Sequence, residues 1–173
     1  MRRLHFEVDK LTNSIENTLT GELCETEILR LHPEDARFLD RSEWEFNWSS
    51  ELKDTDREVF ALVTKENHSI FHGMMSIEDL GDHIFLHLIE SASFNKGSKK
   101  LYVGVAPNLV AFACKESFDK GYGGALAFVA KTALVRHYEA SLGAKRLYGN
   151  RMFIDTAAAY PLVRSYFKDF DNA

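Results

Sequence analysis

The sequence predicts one domain of mixed α/β class, on three observations. Three short apolar runs, at 58–65, 69–78 and 83–91, follow one another with only Asn67-His68 and Gly81-Asp82 between them, as hairpin turns would. Two other stretches, 107–119 and the one beginning at Lys131 or Thr132, repeat apolar residues at helical spacing. Between these helices, Gly123-Gly124 introduces an apolar run at 124–130, the length of a buried strand. Strands joined by short turns pair antiparallel, so a mostly antiparallel sheet is expected.

The elements follow in order. Leu11, Ile15 and Leu19 give 9–22 a helical period, and Gly21 suits its end. Segment 24–31 reads as a strand. Pro33 with Glu34 and Asp35 starts a helix well, because proline fits the first position and carboxylates suit the dipole. Phe38, Leu39 and Trp44 would form its apolar side, and 45–57 has no clear period. After the three strands, Leu109, Val110, Ala113 and Phe118 share a helical face, then strand 124–130 follows. The last long pattern carries Leu134, Val135 and Tyr138 and stops at Gly143. Segment 145–155 reads as one or two short strands. A terminal helix spans 156–167, its start delayed by Pro161. The order is β-α-β-β-β-α-β-α-β.

Composition sets bounds. A chain of 173 residues, 45% hydrophobic, can bury a substantial core and suits a single domain, with 1–22 as an N-terminal extension. The net charge of -5 argues against a broad nucleic-acid footprint, so no nucleic-acid partner is expected. Lys96, Lys99 and Lys100 form a local basic cluster. Cys24 and Cys114 form no CxxC pair, which suits a reduced, cytoplasmic setting. The start, Met1-Arg2-Arg3-Leu4-His5-Phe6-Glu7, is unlike a signal peptide, and no run reaches membrane-spanning length, so no membrane partner is expected.

Two motifs carry chemistry. Gly104-Val105-Ala106-Pro107-Asn108-Leu109 is a glycine turn opening a helix, where backbone N–H groups can hold an anion and Lys99 and Lys100 add charge. An ordinary strand-to-helix turn would look the same. Tyr138 sits in His137-Tyr138-Glu139-Ala140-Ser141-Leu142-Gly143-Ala144, where a phenol can give a proton to a thiolate or simply pack in the core.

The element order and these residues resemble the GNAT superfamily of acyl-CoA N-acyltransferases, over about 22–167. In that family a Q/R-x-x-G-x-G/A loop precedes a helix whose first amides hold the coenzyme A pyrophosphate. Here Leu101-Tyr102-Val103-Gly104-Val105-Ala106 is the matching stretch: Gly104 and Ala106 match, and Leu101 stands where Gln or Arg is usual. The connection 94–100 is longer than usual, and Pro107 lacks an amide donor. The Tyr138 block is similar to the family's F-Y-x-x-x-G-F helix end, with Ala144 in place of the last aromatic.

The resemblance implies a central, mostly antiparallel sheet with helices on both faces, and acetyl or other acyl transfer from acyl-CoA to a primary amine of a small molecule or peptide. It implies cofactor binding by Ser91, Ala92, Ser93, Lys99, Lys100, Val103, Gly104, Val105 and Ala106. Tyr138 would be the acid towards the leaving thiolate. Glu90, partly buried and therefore raised in pKa, would take a proton from the amine, unless it is exposed or paired with Lys99 or Arg136. A homodimer is frequent among such proteins. Two other readings stay open: a CoA-binding module without turnover, and a protein-interaction domain docking a partner through 1–22.

Other residues have blander readings. Cys114 is expected to be a small buried hydrophobe, and Cys24 a thiol disfavoured by neighbouring acids. His68 and His72, and His83 and His87, are four apart but lack a third ligand, so no metal is expected. Trp44, Phe46 and Trp48 would fill core or line an acceptor pocket, with Glu43, Glu45 or Glu51 attracting an amine.

Overall fold

The computed structural model describes residues 14–39, 42–130, 135–167 and 169–170. Nine strands form one sheet: β1 (Ser14–Asn17), β2 (Leu23–Leu31), β3 (Glu58–Thr64), β4 (Gly73–Asp79), β5 (Ile84–Ser91), β6 (Tyr102–Val103), β7 (Leu126–Val129), β8 (Lys145–Tyr148) and β9 (Arg151–Ile154). Their order is β6-β1-β2-β3-β4-β5-β7-β9-β8. Every pairing is antiparallel except that of β5 with β7. The helices are α1 (Trp48–Lys53), α2 (Val105–Asp119), α3 (Val135–Leu142) and α4 (Thr156–Tyr166).

Strand alternation gives the sheet two buried faces. On one face Phe60, Leu62, Met75, Ile77, Ile84, Leu86, Leu126, Phe128, Met152 and Ile154 pack with α2 and α4, through Leu109, Ala113, Leu162 and Val163. On the other, Leu31, Val59, Ala61 and Met74 meet Trp44, Trp48 and Leu52. Burying one tryptophan or leucine there contributes roughly 2–3 kcal/mol. Helices thus cover both faces, as expected, although α1 is one short piece.

Three expected elements differ. The helix over 9–22 is replaced, within the described residues, by β1 and a hairpin turn. Asn17 Oδ1 accepts the N–H groups of Leu19 and Thr20, and Gly21 takes φ +72°. Local turn chemistry there overrides a weak apolar period, and Leu19 is left exposed. The helix from Pro33 is a single 3-10 segment, Pro33–Phe38, closed off by extended Leu39. Pro161 does not delay α4 but lies inside it, because Asp155 caps the start by accepting the Ala158 N–H at 3.0 Å. The start of the helix at Lys131 or Thr132, with Leu134, lies outside the described residues.

Candidate active site

The site begins where two strands part. β5 and β7 pair in parallel only at Ile84 with Leu126, Phe85 with Ala127 and Leu86 with Phe128. β5 then runs on to Ser91, while β7 stops at Val129. The cause is visible on the β4 side: Ile77 opposes Leu86 but Ser76 opposes Leu88, so His87 is an extra residue. Such a bulge bends its strand and shifts the alternation. Leu86 therefore packs on the α2 face and Leu88, two residues on, packs on the α1 face.

The amino end of α2 lies beside this gap. Gly73 opposes Ser91 at the end of β5. A Cβ on Gly73 would come within 2.6 Å of Val105 Cγ1 and 3.1 Å of Leu109 Cδ1, so glycine lets α2 sit against the sheet. Gly104 adopts φ +96°, the left-handed region that favours glycine. No side chain caps the helix and its first turn contains no acid. The Asn108 N–H bonds to Gly104 O and Pro107 has no N–H, which leaves the Val105 and Ala106 amides at the tip. An uncapped helix end of this kind suits an anion. Val103 lies in β6 opposite Glu16, and the Val105 side chain is buried beneath the turn. Lys99 is exposed and Lys100 half-buried.

The long connection before Gly104 is folded rather than loose. Asn95 Oδ1 accepts the Tyr102 N–H at 3.1 Å, and its Nδ2 donates to His72 O at 3.2 Å. Leu101 N–H bonds to Phe94 O. The His72 ring, edge-on to Tyr102 at 4.8 Å, is buried and its pKa is pushed down to about 4, so it is a neutral spacer. Sequence reading missed Asn95, which has no motif signal. The Ala92 N–H bonds to His72 O and its side chain is in the α1-side core. Ser91 remains at the edge of β5, and Ser93 opens a 3-10 turn.

Glu90 is buried, but the raised pKa expected of it is not found. Burial pushes the value up. Hydrogen bonds from the Glu45 amide, Lys96, Trp48 and the Phe46 amide outweigh that and hold the carboxyl below its ordinary value. Oε1 accepts from Phe46 N–H at 3.1 Å and Trp48 Nε1 at 2.9 Å. Oε2 accepts from Glu45 N–H at 2.8 Å and Lys96 Nζ at 2.9 Å. Both oxygens are saturated, so the carboxylate presents no lone pair for an incoming proton. Its ammonium partner is Lys96, neither Lys99 nor Arg136.

Tyr138 packs its ring against Phe128 at 5.4 Å, and Phe128 is the β7 partner of Leu86. The phenol therefore stands next to the point where the strands part. Burial raises its pKa, which keeps it protonated at neutral pH.

On the opposite face, His87 Nε2 lies 2.9 Å from Glu78 Oε1, and its ring lies 4.7 Å from Phe85. The Arg151 guanidinium stacks over Phe85 at 5.1 Å. A cleft of about 410 Å³ follows, lined by His83, Ala127, Leu147, Tyr148, Arg151 and Phe153 among others. Sequence reading missed the pairing of His87 with Glu78, nine residues away, because it depends on the register of β4 against β5, in which Glu78 opposes Phe85, two residues before His87.

Trp44 and Trp48 fill core, and Phe46 is exposed. Glu51 is engaged by Arg57 Nη1 and Ser76 Oγ. Cys114 is fully buried with its thiol pushed up to about 12, and Cys24 is raised by burial and then by Glu22 and Glu66. Among the described residues no three His, Cys, Asp or Glu are placed to hold a metal, and no helix is long and apolar enough to cross a membrane.

No protein-family model matches the sequence, and no curated protein matches it. Solved structures do match. An AtaT–AtaR complex bound to DNA is 19% identical, with 79% of this chain and 98% of that chain covered and a TM-score of 0.57. AtaTR bound with acetyl-CoA is 15% identical, with 79% and 97% covered and a TM-score of 0.52. Mutant forms of the spermidine/spermine N-acetyltransferase SpeG from Vibrio cholerae are 13% identical, with 78% and 96% covered and a TM-score of 0.53. The first of these corrects the expectation of no nucleic-acid partner. A domain of this shape stands in a complex bound to DNA, and a negative net charge does not exclude such a complex. The likeness to these structures over about 80% of the chain shows that its fold is that of the GNAT N-acetyltransferases.

Proposed function

We propose that the chain is an N-acyltransferase that moves an acetyl or other acyl group from acyl-CoA to a primary amine of a small molecule or peptide. One observation carries the reading: an uncapped helix end behind left-handed Gly104 and a protonated phenol at Tyr138 lie beside the same break between β5 and β7. Acetyl-CoA in the similar AtaTR structure supports the cofactor class.

The residues fit that substrate. The Val105 and Ala106 amides would take the pyrophosphate, with Lys99, Lys100 and Val103 flanking it. The unpaired edge of β5 through Ser91, and Ser93 beyond it, would run beside the pantetheine arm. Acyl-CoA supplies an acyl group activated as a thioester. Tyr138 Oη holds the proton that the departing sulfur takes, and the parted strands orient the amine against the carbonyl, which supplies much of the rate. In this account Glu90 is a positioning residue that ties the 45–48 segment to β5.

The test is acetyl transfer from acetyl-CoA to a panel of alkylamines, polyamines, amino acids and peptides, read by thiol release and by product mass. Transfer to any member supports the reading. A protein that binds CoA without transfer to any member is the inactive module instead. A second reading, docking of a partner protein, is supported by the AtaT–AtaR complex. Its test is a stable stoichiometric complex that forms without CoA.

A further inference from the structure

With Glu90 saturated, the proposed reaction lacks a proton acceptor, and the geometry points to one. We infer that His87, backed by Glu78, takes the proton from the acceptor ammonium; the inference rests on the acyltransferase reading above.

Three observations carry it. First, His87 is the extra residue of the β5 bulge and directly follows Leu86, the last residue paired with β7. Second, its side chain turns to the face opposite Tyr138: it meets Glu78 and Phe85, whereas Tyr138 meets Phe128 on the α2 face. Acid and base thus flank the gap from opposite sides, so an amine can approach the carbonyl from one side while the sulfur leaves on the other. Third, the Glu78 carboxylate at 2.9 Å selects the tautomer with its proton on Nε2, which leaves the Nδ1 lone pair as acceptor. A carboxylate behind the ring also stabilises the imidazolium once formed. The side chain is 21% exposed, enough to meet a substrate.

Protons balance as follows. The ammonium gives one proton to His87 Nδ1, which passes it to solvent. The free amine nitrogen bonds to the carbonyl carbon and the carbon–sulfur bond breaks. The thiolate takes the Tyr138 Oη proton. A second nitrogen proton, lost as the amide forms, restores the phenol through water, and the third stays on the amide. The charged groups around the ring are Glu78 on β4, Arg57 acting on Glu78, and Arg151 on β9 across Phe85. The apolar cleft lined by Leu147, Tyr148 and Phe153 adjoins Phe85 through Arg151 and would take the rest of the acceptor.

The experiment compares propylamine, a cation at pH 7, with trifluoroethylamine, which is largely neutral there and needs no base. In His87→Gln, kcat/KM for propylamine is expected to fall about 100-fold. The rate with trifluoroethylamine and the acetyl-CoA affinity stay within about twofold, which also shows that the variant is folded. Glu78→Gln should lower the propylamine rate alone, by about tenfold. An equal loss on both amines, or none on either, overturns the assignment while leaving the acyltransferase reading intact. Wild-type protein that transfers to neither of these amines nor to any member of the amine panel overturns both.

Discussion

Glu90 accepts the indole N–H of Trp48 at 2.9 Å from 42 residues away, and the same carboxylate holds Lys96 on the connection that leads to Gly104. One buried charge therefore joins the 45–48 segment, the end of β5 and the loop before α2. Glu90→Gln keeps the shape and removes the charge, and it should cost about 2 kcal/mol at pH 7, as expected for hydrogen bonds to a buried ion. The pH dependence has a definite sign. The folded pKa is depressed, so the stabilisation is complete above the unfolded carboxyl value of about 4.3 and is lost as pH falls through the lower folded value. Urea unfolding from pH 7 to pH 3 should show wild type and variant converging at the acid end. A constant difference across that range would contradict the role.

Gly73 gives α2 its seat. In Gly73→Ala the new methyl meets Val105 Cγ1 at 2.6 Å, and a β-branched side chain in a helix has no free rotamer to yield. The expected cost is about 1–3 kcal/mol of overpacking, with weaker acetyl-CoA binding as the helix tip shifts. Adding Val105→Ala should recover most of both losses, measured by melting temperature and calorimetry.

Tyr138→Phe keeps the contact with Phe128 and removes only the hydroxyl. Melting temperature and acetyl-CoA affinity should stay near wild type, while kcat falls about 100-fold. An unchanged kcat would remove Tyr138 from the chemistry.

Cys114 should be silent. Its thiol is buried and pushed up to about 12, so a disulfide reagent at pH 8 should label at most Cys24 in the native protein and both thiols after denaturation. Fast double labelling of the native protein would mean that α2 is not packed as described.

Long periodic segments were legible in the sequence. The strand at 58–65 appears as β3, that at 83–91 as β5, and the helix at 107–119 as α2 extended back to Val105. The short strands at 124–130 and 145–155 also appear, as β7 and as β8 with β9, but two other short segments were not legible. Ser14–Asn17 and Pro33–Phe38 are set by turn and cap chemistry and too brief for a period to register. Around the candidate site, the glycine turn at Gly104 and the helix that carries Tyr138 were legible because each has a local signature. The four donors on Glu90 were not, since three come from 42 to 45 residues away, and their arrival reverses the pKa shift expected from burial alone. His87 was not legible either, because a bulge exists only relative to a partner strand.

The central claim is that the end of α2 behind Gly104 binds the cofactor, and titration calorimetry with acetyl-CoA and CoA tests it most directly. Wild-type protein should bind both with micromolar affinity. Gly104→Asp, which forces a side chain into a left-handed position and sets a carboxylate where the pyrophosphate belongs, should lose at least tenfold while still melting cooperatively. No binding to wild type at millimolar cofactor, or equal binding to a folded Gly104→Asp, would contradict the account.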